Sequence, residues 1–203
     1  MNRKIYGVTA GLAGLLAAAP AFAADLVKAP SDPAVIGAMV NKGDTTWMLI
    51  SSALVLMMSI PGLALFYGGL VRTKNMLSVL MQVFMIVSIT GLMWAVVGYS
   101  IAFTSGAGHE IFGVQLFGGL SKAFMSGVTS GTFAATFSNN TYIPELSYFV
   151  FQMTFAMITP ALFIGSFAER IKFWPLMLFT VLWSLLVYYP IAHMVWYWAG
   201  PDY

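Results

Sequence analysis

The chain has 203 residues, of which 60% are hydrophobic and only 8% charged, with a formal net charge of +2 and a mean hydropathy of +0.85. A soluble domain needs roughly a quarter of its residues charged to clothe its surface, so this composition excludes an ordinary water-soluble fold and places much of the chain in lipid. The small net charge gives no ground for a nucleic-acid partner, and the absence of cysteine excludes disulfides and thiolate chemistry.

The N-terminus carries a targeting pattern. Arg3 and Lys4 form a positive start, residues 5–19 are apolar or small, and Ala21-Phe22-Ala23 supplies a small-residue cleavage site. That order predicts a signal peptide over residues 1–23, removed on export, with the mature N-terminus outside the cytoplasm. An uncleaved membrane helix is the competing reading, and the stretch is short for one.

Four uncharged stretches follow, each long enough to cross about 30 Å of hydrocarbon. They predict an all-α membrane protein with helices at about 45–71, 76–103, 146–168 and 173–198, because lipid offers no water to unpaired backbone groups. Arg72 and Lys74 sit in the first short connection, and Arg170 and Lys172 in the last. The long middle connection, Thr104 to Glu145, holds only Lys122 among its basic residues. Positive residues mark the cytoplasmic side, so the two short connections read as inside and the long one as outside, in agreement with the leader. The long connection is rich in Gly, Ser and Thr, with scattered phenylalanines expected to order it.

Pro61, Pro160 and Pro190 fall within or near the ends of these helices and predict kinks. Small residues at four-residue spacing, Ala64/Gly68, Gly91/Ala95 and Ala161/Gly165, predict close helix approach. The methionines read as packing and lipid-facing residues.

The spans are almost free of ionisable groups, which argues against a proton relay inside them. There is no phosphate loop, no paired carboxylates and no metal-ligand spacing, so the chain is not expected to be an enzyme or to hold a cofactor or metal. Aromatic residues remain. Phe151 lies within about a turn of the outer end of the third helix, and Phe155 is one turn deeper on the same face. Trp196 lies about 23 residues along the fourth helix, about 35 Å of rise, at the same boundary. Stacked ring faces can replace part of the hydration of a small cation. From spacing alone an interfacial aromatic belt or plain core packing is the favoured account of these positions, and Trp47, Tyr188, Tyr189, Tyr197 and Trp198 read as belt residues. His193 reads as a partly solvated or carbonyl-bonded side chain near the outer interface.

The segments from Ile60 to Asn75 (IPGLALFYGGLVRTKN), from Phe151 to Phe155 (FQMTF), from Ala168 to Arg170 (AER) and from Pro190 to Trp196 (PIAHMVW) together resemble the ammonium transporter (Amt/Rhesus) family. They occur in the family's order, from about residue 44 to the end of the chain. The resemblance implies a homotrimer of eleven-helix subunits in the inner (plasma) membrane, each with a narrow pore for ammonium or ammonia. It implies that Phe155 gates the pore from outside, that Phe151 and Trp196 line an outer cation-recruitment site, and that Phe66 is a candidate for the inner pore wall. Methylammonium is implied as a second substrate, and a cytoplasmic regulatory protein as a candidate partner. Family members continue for about seven more helices with paired pore histidines, of which His193 is not one, so an N-terminal part of a transporter is the expectation. An ammonium sensor fused to a signalling module and a complete four-helix structural protein are the alternatives.

Overall fold

The computed structural model of the protein describes residues 33–106, 110–111, 114–135 and 141–198. The expected leader over 1–23 lies outside the described residues. A short helix, Pro33–Ala38, precedes four helices long and apolar enough to cross a membrane: Lys42–Leu70, Thr73–Phe103, Glu145–Phe167 and Phe173–Trp196. The first begins a turn earlier than the apolar run because Asn41 caps it, its Oδ1 accepting the Asp44 N–H at 3.1 Å.

The second helix is central and packs against the other three. Towards the end that carries Arg72 and Lys74, the basic end, it buries Val79, Val83, Ile86 and Val87 against Ala161, Ile164, Leu176 and Met177. Towards the end of the long connection, the loop end, the core is aromatic, with Trp94, Tyr99, Phe149, Tyr188 and Tyr189 packed edge to face or, for Trp94 and Tyr189, tilted at 57°. The small residues serve close approach as expected. A Cβ on Gly165 would stand 2.7 Å from the Tyr67 ring, and one on Gly91 would stand 3.2 Å from the Met157 sulfur. Several hydroxyls inside the helices bond to their own backbone instead of standing free in lipid. Ser52, Ser59, Thr90 and Thr180 each donate to the carbonyl four residues earlier.

The helices are not regular, and the prolines account for much of this. Pro61 lies inside a widened π turn, Met58–Gly62, and a second π turn, Ser184–Tyr188, runs directly into the segment that starts Tyr189-Pro190. A proline lacks the N–H and crowds the turn before it, and a wider turn accommodates both defects. After Pro160 the third helix stops at Leu162 and resumes at Ile164–Phe167. The Tyr67 hydroxyl reaches across from the first helix and donates to the Leu162 carbonyl at 2.6 Å. The π turn Trp94–Gly98 contains no proline. It coincides instead with Tyr189 pressed against Gly98.

At the loop end, the last carbonyls of the second helix have lost their intrahelical partners, and other groups take their place. The Thr104 hydroxyl donates to Ser100 O, the Gly118 N–H to Ile101 O at 2.7 Å, and His193 Nδ1 lies 3.0 Å from Ala102 O. Gly118 is obligatory there, since a Cβ would fall 2.5 Å from the Thr104 carbonyl. The connection carries two antiparallel strand pairs, β1 (Glu110–Ile111) with β2 (Val114–Gln115), and β3 (Phe133–Ala135) with β4 (Tyr142–Pro144). Its phenylalanines do less of the ordering than expected: Phe124 is 78% exposed. Polar ties fasten it instead. Lys122 pairs with buried Glu145, which also accepts the Tyr99 hydroxyl at 2.9 Å. The ammonium of Lys122 lies 5.7 Å from the centre of the Tyr99 ring.

At the basic end, Arg72 and Glu169 join the two short connections. Arg72 Nη2 lies 3.0 Å from Glu169 Oε2, and the Arg72 N–H and Asn75 Nδ2 both donate to Oε1 at 2.9 Å. Glu169 holds a left-handed backbone (φ 64°), which a non-glycine residue adopts only when tied in place. The side-chain bonds from Arg72 and Asn75 hold its carboxyl well below the ordinary 4.5, at about 2. A depressed carboxylate contributes stability that is complete above pH 4.5 and is lost as the pH falls through about 2. Glu169→Gln should therefore melt below wild type in detergent at neutral pH, and the gap should close between pH 4.5 and 2. A gap that is constant through that window would show that the ion pair contributes nothing.

Candidate functional site

Three aromatic residues meet at the loop end. Phe151 and Phe155 lie one turn apart on the third helix, with ring centres 5.1 Å apart and planes at 72°. The Phe155 ring is also 6.5 Å from that of Trp196, at 58°. Phe155 thus stands between the other two. Edge-to-face contact suits the ring quadrupoles, positive edge on negative face, and so fixes relative orientation as well as burying area.

Local sequence explains why these rings are available. The buried residues of the third helix include Phe149, Gln152, Thr154, Ala156 and Ile158, which leaves Phe151 and Phe155 partly buried. The Thr154 hydroxyl donates to the Phe151 carbonyl at 2.6 Å, and the Thr159 hydroxyl to the Phe155 carbonyl at 2.7 Å. Trp196 is the last residue of the fourth helix and is 40% exposed. The chain turns extended at Tyr197, whose N–H caps His193 O at 3.0 Å.

The group is apolar and carries no formal charge. Glu145, at the start of the same helix, is already matched by Lys122 and Tyr99. Attraction for a cation here would come from ring quadrupoles, contributing about 0.5–2 kcal/mol per favourable contact depending on desolvation. Among the described residues, no group of three or more His, Asp or Glu is placed to hold a metal ion.

Phe66 does not join this cluster. It lies towards the basic end of the first helix, 59% exposed, with its ring 5.2 Å from that of Tyr67. Tyr188 and Tyr189 are corrected from belt to core: Tyr189 is fully buried against Trp94, and Tyr188 stacks on Trp183 at 6.1 Å. Trp47, on the first helix, is largely exposed, as a lipid-facing residue would be. Sequence reasoning missed the Lys122–Glu145–Tyr99 tie. The available signal was the only Lys or Arg of the long connection together with an acidic residue opening the next helix.

Comparison with known proteins agrees with this architecture. The family model described as Ammonium Transporter Family matches residues 46–201. The chain is 42% identical over 159 residues to an ammonium transporter of Aquifex aeolicus, covering 78% of this chain and 35% of that protein. It is 44% identical over 157 residues to one of Bacillus subtilis, covering 77% and 36%. The crystal structure of Saccharomyces cerevisiae Mep2 superposes with a TM-score of 0.65 at 32% identity, over 81% of this chain and 35% of that one. The chain spans about a third of the length of these relatives. With four membrane-crossing helices and a match over most of its length, the chain belongs to the ammonium transporter family.

Proposed function

We propose that this chain supplies the outer part of an ammonium-conducting pore and that Phe151, Phe155 and Trp196 form its recruitment site. The observation that carries this reading is the meeting of three aromatic rings from two helices at one membrane boundary. An ammonium ion leaving water there trades part of its hydration for ring faces. The deeper Phe155, between its neighbours, is then the ring that must move for anything to pass. In this reading the loop end faces outward across the inner (plasma) membrane, the 1–23 leader has been removed, and the full subunit assembles as a homotrimer of eleven-helix units. Phe66 is placed on the inner pore wall.

The test uses the full-length protein in transporter-deficient cells. Trp196→Leu removes the indole face. A desolvated cation–π contact is about 2 kcal/mol, and 1.4 kcal/mol is tenfold, so the half-saturation concentration for labelled methylammonium should rise by up to roughly 30-fold. Wild-type uptake by Trp196→Leu would remove this residue from the site.

A further inference from the structure

His193 is 2% exposed and sits one turn before Trp196. Its Nδ1 lies 3.0 Å from the Ala102 carbonyl, 91 residues earlier in the chain. A carbonyl only accepts, so Nδ1 must carry the proton, and this fixes the tautomer with a lone pair on Nε2. The Ala102 carbonyl belongs to the last turn of the second helix, Tyr99–Phe103, where carbonyls lack intrahelical donors. The imidazole therefore caps the second helix while standing on the fourth. Its other face is taken by Tyr197, whose ring stacks at 4.6 Å with planes only 14° apart. Trp196 lies between His193 and Tyr197 in sequence, at the point where the chain leaves the helix.

From this arrangement we infer that His193 is a positioning residue for the outer aromatic site: its Nδ1–H bond to Ala102 and its stacking on Tyr197 fix the direction in which Trp196 projects towards Phe155. The inference rests on the recruitment-site reading of Trp196. Its chemical logic is separate, because His193 is buried and acts through its bond to the Ala102 carbonyl. A bond to a helix terminus is directional, whereas apolar packing at the same place would allow the end of the fourth helix to rotate. Rotation there moves an indole whose ring centre is 6.5 Å from that of Phe155. The stacked pair also holds the turn at Tyr197, where the backbone becomes extended.

The experiment compares His193→Phe, His193→Asn, His193→Gln, Trp196→Leu and the double variant His193→Phe/Trp196→Leu in the full-length protein, using labelled methylammonium over a range of concentrations. The asparagine amide can place an N–H near the Nδ1 position, and the longer glutamine places it near Nε2. His193→Phe should raise the half-saturation concentration roughly fivefold, a part of the roughly 30-fold that a full cation–π contact represents. Its maximal rate per folded molecule should stay within about twofold. His193→Asn, which keeps the bond but not the stacked ring, should lie closer to wild type than His193→Phe, and His193→Gln should not. The double variant should behave as Trp196→Leu alone, since a misdirected indole and an absent one are the same defect.

Wild-type uptake by Trp196→Leu would overturn the recruitment site and this inference with it. A strong Trp196→Leu effect beside an unchanged half-saturation in His193→Phe would overturn the inference alone. So would a fall in maximal rate only, or an additive double variant. Should His193→Phe fail to accumulate in the membrane, the asparagine and glutamine variants decide. A value closer to wild type with asparagine alone supports the Nδ1 role, and identical behaviour of the two overturns it.

Discussion

Lys122→Met should destabilise the protein by about 3 kcal/mol, the lower end of the 3–5 kcal/mol range for stripping one partner from a buried ion pair. The lower end is appropriate because the Lys122 side chain is about one-third exposed, whereas that of Glu145 is only 6% exposed. Without the ammonium, Glu145 keeps the Tyr99 hydroxyl but loses its only opposite charge among the described contacts. The reverse change should cost less, about 1 kcal/mol. In Glu145→Gln the amide oxygen can still accept from Tyr99, and the lysine can extend its head to water. The double variant Lys122→Met/Glu145→Gln should recover about 2 kcal/mol relative to Lys122→Met, because no buried charge is left unmatched. Thermal unfolding of the four proteins in detergent measures this cycle. Equal and additive losses would mean that the pair acts only through packing. The backbone also ties Lys122 to Ser100 (N–H to Oγ, 3.0 Å) and Glu145 to Thr132 (N–H to O, 3.0 Å). The lysine variant should therefore loosen the long connection as well, seen as faster proteolysis between residues 104 and 144.

The four spans were legible because lipid leaves the chain one option. A run of about 20 uncharged residues has to satisfy its own backbone, so composition alone sets the helices. Their ends depend on single groups such as the Asn41 cap and the 3-10 turn Thr73–Asn75, which no hydropathy window resolves. Two of the three rings of the aromatic cluster were legible together from spacing. Phe151 and Phe155 share a helix, and i, i+4 spacing puts them on one face. From spacing alone Trp196 could be assigned a depth but not a neighbour, because which faces of two helices meet is settled by packing; only the family resemblance grouped it with Phe151.

Long-range polar bonds were not legible. Nothing local in His193 points to a carbonyl 91 residues away, and Lys122 is marked as a candidate partner for Glu145 only by being the one Lys or Arg of the long connection. Tyr188 and Tyr189 were misread for a related reason. Their position in the sequence suits an interfacial belt, but the π turn Ser184–Tyr188 rotates the helix face, and both rings enter the core. The phenylalanines of the long connection illustrate the opposite error, since Phe124 is solvent-facing and the polar ties carry the order.

Gly98 links that rotation to stability. Gly98→Val should cost about 3 kcal/mol, measured as a lowered unfolding midpoint in detergent. An added Cβ at residue 98 would lie 2.7 Å from Tyr189 Cζ, 2.8 Å from its Cε1 and 2.9 Å from Trp94 Cε3, closer than real carbon atoms approach. Neither ring can yield cheaply. Both residues are fully buried, and Trp94 is further held by its indole N–H donating to the Phe149 carbonyl at 3.3 Å. Overpacking of this kind costs about 1–3 kcal/mol per site, and valine adds two methyl groups beyond the Cβ that already clashes. Gly69, where nothing lies within 4 Å of an added Cβ, is the internal control. Gly69→Ala should be neutral or slightly stabilising, because alanine loses less backbone entropy in a helix than glycine does. If Gly98→Val unfolds at the wild-type midpoint, Tyr189 is free to leave its cleft, and the packing of the fourth helix on the second is looser than these distances require. If the loss appears, relief should follow from shrinking the ring it strikes. Tyr189→Leu combined with Gly98→Val should then be less damaging than the sum of the two single changes, because both act on one shared volume.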